Sequence, residues 1–214
     1  MIKKIKASIS EKIILIFLIL LALFSLTFFI TIKNKCLFVK NHDPEKIQFK
    51  NPQNIAILNA TCGNIIIELY PNVSPNAVKR FKTLIKSGAY NDVAFHRVIE
   101  NKLVQAGDLE FGKKNKLDYG KIGTGKSGLG TIQSELEGEF NYTKGSVGLV
   151  RTFKNNTEDS QFFIILSDEP LYNGEYTPLG KVIYGLDVLQ KIKFLKKSEY
   201  VLRPDFINFF KMYN

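Results

Sequence analysis

Residues 94–108, AFHRVIENKLVQAGD, decide how this chain is read. Two short apolar runs flank the polar triplet Glu100-Asn101-Lys102, and each carries one polar side chain, Arg97 in the first and Gln105 in the second. If the triplet is a three-residue turn, Ile99 faces Leu103 and Arg97 faces Gln105, because residues directly opposite in a hairpin share a face. That face then holds Phe95, Arg97, Leu103 and Gln105, while His96 faces away as a hydrogen-bonded structural residue. A two-residue turn would set Arg97 beside Val104 and split the polar pair. Spacing alone leaves two readings open. One is an ordinary exposed Arg–Gln pair, the commoner arrangement; the other is a working site in which the amide orients the guanidinium.

Outward from the hairpin, strands dominate. NIAILNA (54–60) and NIIIELY (64–70) flank a turn at Cys62-Gly63 and read as an opening hairpin. SPNAVKRFKTLIKSG (74–88) reads as a helix, with Ser74 as its cap, Pro75 at the first position, Gly88 at its end and an apolar stripe of Ala77, Phe81, Leu84 and Ile85. GSVGLVR (145–151), SQFFIIL (160–166) and PLGKVI (178–183) read as strands, GLDVLQKIK (185–193) as a short helix, and FINFFKM (206–212) as a last strand. Many short strands with a helix near each end of the domain point to a closed β-barrel whose open ends are covered by helices. By alternation, one of Phe162 and Phe163 must face the interior.

The N-terminus is a separate feature. Ile13 to Ile32 is an uncharged run of 20 residues, and a helix of about 30 Å crosses the hydrocarbon core. KNKCLFVK follows it with no small-residue cleavage pattern, so an uncleaved signal anchor is expected. Lysines flank both ends, and the simpler topology keeps the short tail inside and the large domain outside. The formal net charge is +10, but residues 1–40 hold seven lysines against Glu11, a net of +6, which leaves +4 for the rest. No Lys/Arg stripe with interleaved aromatics is present, which argues against nucleic-acid binding. GTGKSGLG within the Gly/Lys-rich stretch 109–138 lacks the phosphate-loop spacing and its flanking strand and helix, and reads as structural. Cys36 and Cys62 match no metal spacing; two unpaired thiols are expected, with a disulfide open to an oxidising compartment. The Asn-x-Ser/Thr triplets at Asn59, Asn72, Asn141 and Asn155 would matter only in a eukaryotic secretory pathway.

Taken in order, FHRVI, QAGD, GTGKSGLG, GSVGLVRT, DSQFFIIL and YNGEYTPLGKVI resemble the cyclophilin family of peptidyl-prolyl isomerases, over residues 54 to about 195. The resemblance implies a mainly β fold, an eight-stranded antiparallel closed barrel capped by two α-helices, with the substrate groove outside it. It implies Arg97 as the catalytic arginine and Gln105 and Gln161 as groups that orient it or the substrate backbone. Leu103, Phe163 and Tyr172 fall at the apolar proline pocket, Tyr176 at its rim, and Arg151, Thr152 and Phe153 on the segment that pairs with the bound peptide. Two positions depart from the family pattern. Lys102 stands where Phe is usual, and Leu171 where Trp or Phe is common, which predicts weaker cyclosporin binding and bears on the prolyl pocket.

The expected layout is a basic tail (1–12), a transmembrane anchor (13–32), a polar tether (33–53) and the isomerase domain (54–214), acting as a monomer without cofactor or metal. Its partners would be proline-containing unfolded or loop segments and, through 13–32, a lipid bilayer. The Lys-, Asn- and Ile-rich composition points to a bacterial inner membrane with the domain in the periplasm, assisting exported or membrane proteins to fold. A weakly catalytic or non-catalytic proline-peptide-binding chaperone is the alternative that Lys102 and Leu171 favour.

Overall fold

Ser8 and Glu11 open the first helix with a capping box: the Ser8 hydroxyl accepts from the Glu11 amide, and the Glu11 carboxylate accepts from the Ser8 amide. The computed structural model describes residues 8–33 and 35–213, and the chain divides into two units, Met1–Phe38 and Val39–Asn214. In the first unit, helix α1 (Ile9–Lys33) takes in the end of the predicted tail. Lys3, Lys4 and Lys6 of that tail lie outside the described residues. The stretch Ile9–Ile30 has a mean hydropathy of 3.2 and is long and apolar enough to cross a membrane, a test that a signal sequence also passes. Neither cysteine is free, since Cys36 and Cys62 are both disulfide-bonded. The reading of two unpaired thiols is thereby corrected; pairing depends on Cα separation, which spacing along the chain does not carry.

The second unit is built on β1 (Ile55–Ala60), β2 (Gly63–Leu69), β3 (Arg97–Ile99), β4 (Leu103–Ala106), β5 (Ser146–Leu149), β6 (Phe162–Ile165), β7 (Pro178–Tyr184) and β8 (Phe209–Met212), with helices α2 (Pro75–Lys86) and α3 (Leu186–Leu189). The strands form one antiparallel sheet in the order β3-β4-β6-β5-β7-β2-β1-β8. The closed barrel is not what the ladder shows: β3 and β8 are its two edges, and the sheet is a half-barrel. Between them runs the segment 199–207, which is hydrogen-bonded to residues 93–98 without forming a strand (Val98 N to Glu199 O, 2.8 Å; Val201 N to His96 O, 2.9 Å; Phe95 N to Asp205 O, 2.9 Å). Pro204 in that segment has no amide to offer a ladder.

Four fully buried rings, Phe81 of α2, Tyr90, Phe162 of β6 and Phe210 of β8, touch one another at centroid distances of 5.2–6.0 Å and tie α2 to the concave face of the sheet. Tyr90 satisfies its hydroxyl on the Ser160 carbonyl at 2.7 Å. Phe95 belongs to this interior core, so it does not share the Arg97 face; strand pairing begins only at Arg97, and alternation does not extend back to it. Helix α2 ends as its sequence predicts, with Gly88 in the left-handed region (φ +69°). Its start differs. Ser74 makes no capping bond, and the first amides are taken by Glu135, from Asn76 N at 3.1 Å and Ala77 N at 2.8 Å. A carboxylate there answers the partial positive charge of the helix end better than a hydroxyl.

Candidate active site

Strand register fixes the site. Arg97 pairs with Gln105, Val98 with Val104 and Ile99 with Leu103 across the turn Glu100–Lys102, and Asn101 adopts the left-handed conformation (φ 56°) that the turn needs. Gln105 in turn pairs with Phe163 of β6. Adjacent residues of β6 then divide: Phe162 lies in the interior core, and Phe163 lies in a second apolar cluster with Leu103, Tyr142 and Ile165, against which Val150, Tyr172 and Tyr176 pack. The period of two along a strand is the whole reason for that division.

One hydrogen-bonded chain runs through the polar half of the site. Arg97 Nη1 donates to Gln105 Oε1 at 3.1 Å, Gln105 Nε2 donates to Gln161 Oε1 at 3.0 Å, and Gln161 Nε2 donates to the carbonyls of Gly123 and Gly125 at 2.9 and 3.0 Å. The glycine-rich stretch is thus a wall of the site. Two of its amides are held from within: buried Asp108 accepts from Gly123 N and Gly125 N, as it does from Glu110 N and Phe111 N. That agrees with a structural rather than phosphate-binding role for GTGKSGLG. Arg97, Gln105, Gln161, residues 123–126, Thr152 and Tyr200 are among the groups lining a cavity of about 400 Å³. A cleft of about 460 Å³ between residues 133–138 and Asn155–Asn156 shares no residue with it. Among the described residues no group of three His, Cys, Asp or Glu side chains is placed to hold a metal ion.

His96 does not turn away from this chain. Its Nε2 lies 3.3 Å from Gln105 Nε2, beneath the amide. Burial pushes its pKa down to about 4, against opposing pulls from Asp108 and the Ala94 carbonyl. The neutral ring therefore accepts the second hydrogen of Gln105 Nε2.

The apolar half is aromatic. The Phe163 ring is edge-on to Tyr172 and Tyr176 at 5.7 and 5.2 Å and stacked with Tyr142 at 5.8 Å. Burial raises the Tyr142 and Tyr172 phenols above their usual range, keeping both neutral. Arg151 lies over the Tyr176 ring at 5.1 Å and is paired with Glu175 at 2.8 Å. Lys102 holds Glu169 at 3.3 Å at the rim. Phe153 and Leu171 are 88% and 85% exposed and pack on neither cluster. The sequence reading missed three neighbours. Tyr142 is buried under Phe163, Tyr200 lines the cavity, and Glu199 contacts Arg97 through both Nε (2.8 Å) and Nη2 (2.7 Å). Glu199 lies 102 residues from Arg97 in a stretch without periodicity, so no local signal marks it.

Most of the second unit is similar to known proteins. Residues 55–209 match the family model for cyclophilin type peptidyl-prolyl cis-trans isomerases. The "Probable peptidyl-prolyl cis-trans isomerase" of Brucella suis is 41% identical over 150 residues, covering 70% of this chain and 76% of that protein. The peptidyl-prolyl cis-trans isomerase of Acinetobacter baylyi is 35% identical over 143 residues, covering 64% of this chain and 71% of that one. In structure, the chain is similar to a Cryptosporidium parvum cyclophilin crystallised in the presence of the dipeptide Ala-Pro, with a TM-score of 0.65 and 28% identity, covering 75% of this chain and 99% of the other. A matching family model over most of the chain, relatives of this identity and the same fold leave one assignment: the chain belongs to the cyclophilin-type peptidyl-prolyl cis-trans isomerases and is an isomerase of X–Pro peptide bonds.

Proposed function

We propose that Arg97 is the catalytic group, acting on proline-containing segments whose ring sits among Leu103, Phe163, Tyr172 and Tyr176. Rotating an X–Pro bond breaks amide resonance against a barrier of about 20 kcal/mol, and the uncatalysed reaction takes tens to hundreds of seconds. In the twisted transition state the proline nitrogen regains its lone pair and becomes a hydrogen-bond acceptor. A guanidinium held beside it binds that geometry better than the planar amide, and the difference lowers the barrier without a nucleophile or a proton transfer. The observation that carries this reading is the position of the guanidinium, bonded to Gln105 at the edge of the aromatic cluster that suits a proline ring. Gln105 and Gln161 orient Arg97, and the backbone of Arg151, Thr152 and Phe153 pairs with the peptide. Lys102 covers one rim of the pocket with its aliphatic stem, and exposed Leu171 serves as an outer contact for the peptide.

The setting we infer is a bacterial inner membrane. Residues 13–32 anchor the chain in the bilayer, and the domain works as a monomer in the periplasm, where it assists exported or membrane proteins to fold. An apolar helix of spanning length, bacterial relatives and the lack of a free cysteine support this. The test is isomerisation of an Ala-Pro-containing peptide by the full chain in detergent, wild type against Arg97→Ala. Loss of 100-fold or more in kcat/KM with an unchanged melting temperature is expected, on the order of what removing one transition-state donor costs. Unchanged activity would remove Arg97 from the mechanism. Peptide binding by the wild type without rate enhancement would favour a binding module.

A further inference from the structure

Arg97 is held from two sides. Gln105 Oε1 takes one hydrogen of Nη1, while a single oxygen of Glu199, Oε2, lies 2.8 Å from Nε and 2.7 Å from Nη2. A guanidinium has five N–H donors in a fixed plane. Three are accounted for, and one on each Nη remains for the cavity that Arg97 lines. Glu199 is itself fixed by its backbone, since its carbonyl accepts from Val98 N at 2.8 Å and the next residue, Tyr200, bridges to Arg97. The pair is open to solvent, with Arg97 and Glu199 side chains 30% and 53% exposed, so it contributes little to folding. A contact that does little for stability but fixes both the edge and the end of the guanidinium is placed to serve orientation.

We propose that Glu199 is a positioning residue for the isomerase reaction, setting the Arg97 guanidinium so that its two remaining donors are aligned before the substrate arrives. The proposal rests on the reading of Arg97 as the catalytic group. Misalignment of a transition-state donor by even a small angle lowers kcat more than it weakens substrate binding. Because both contacts use one oxygen, a neutral amide can replace the carboxylate: the carbonyl oxygen of Gln can accept from Nε and Nη2 alike.

The test uses the full chain in detergent. Glu199→Ala is expected to lower kcat five- to tenfold with KM within twofold of wild type and an unchanged melting temperature. Glu199→Gln is expected to restore kcat to within about twofold. The chain has four arginines, Arg80, Arg97, Arg151 and Arg203, so the Arg97 Nε–H signal in a ¹H–¹⁵N spectrum can be assigned by its loss in Arg97→Ala. It should be slow to exchange in wild type and Glu199→Gln, and broadened away in Glu199→Ala. A wild-type or raised kcat in Glu199→Ala, no rescue by Glu199→Gln, or an unaltered Nε–H signal overturns the proposal. The two readings fail separately. If Arg97→Ala is inactive while Glu199→Ala works at the wild-type rate, only the role of Glu199 falls; if Arg97→Ala keeps full activity, the reading of Arg97 falls and takes the role of Glu199 with it.

Discussion

Acid should loosen this domain through one histidine. His96 is 1% exposed and holds its place by accepting from Gln105 Nε2, which leaves no room for a proton on His96 Nε2. Burial is the first cause of its low pKa, about 4; Asp108, the Ala94 carbonyl and Gln161 pull upward, and Arg97 pulls down. In the unfolded chain the same ring titrates near 6.5. Between those values the unfolded state binds the proton and the folded state does not, so stability is full above pH 6.5 and falls as pH drops towards 4. At 1.36 kcal/mol per pH unit the window is worth about 3 kcal/mol, of which about 2 kcal/mol is gone by about pH 5. For a chain of this size that is a fall of roughly 4–8 °C in melting temperature. The measurement is thermal unfolding of the full chain in detergent from pH 7.5 to 4.5, wild type against His96→Gln, whose amide can accept the same bond but does not titrate. The variant should lose most of the slope between pH 6.5 and 5, leaving only what the carboxylates contribute. Equal slopes in the two proteins would show that His96 is not held neutral beneath Gln105. Activity should follow the same limb, because a protonated His96 presents a donor to a donor and turns the Gln105 amide away from Arg97.

Two further outcomes follow from the site. In Gly125→Ala the new methyl group would overlap Asp108 Oδ1, displacing a buried carboxylate from its amides; a loss of roughly 2–4 kcal/mol in chemical denaturation is expected, together with isomerase activity. Leu171 is exposed and supplies no wall, so cyclosporin should inhibit the wild type weakly and Leu171→Trp at least tenfold more tightly, by titration in the isomerase assay; tight inhibition of the wild type would count against the importance of this position.

What the sequence could settle was local. A period of two along a strand is a property of neighbouring residues: it was enough to send Phe162 and Phe163 to opposite faces and, granted a three-residue turn, to put Arg97 opposite Gln105, a turn length that the strand register then settled. The run of motifs from FHRVI to PLGKVI then carried the family. Alternation failed where the backbone left the ladder: Phe95 turned inward and His96 came under Gln105 instead of facing away. The cap of α2 came from Glu135, 59 residues from Asn76, and not from adjacent Ser74. Strand count alone could not show that β3 and β8 remain edges, nor could cysteine spacing show oxidation. The second hold on Arg97 was the least visible feature. Glu199 lies in an irregular segment far along the chain, and only the backbone bonds that lay this segment against residues 93–98 bring its carboxylate to the guanidinium. Local geometry set Arg97 beside Gln105 on one face, and long-range packing decided what else holds the arginine.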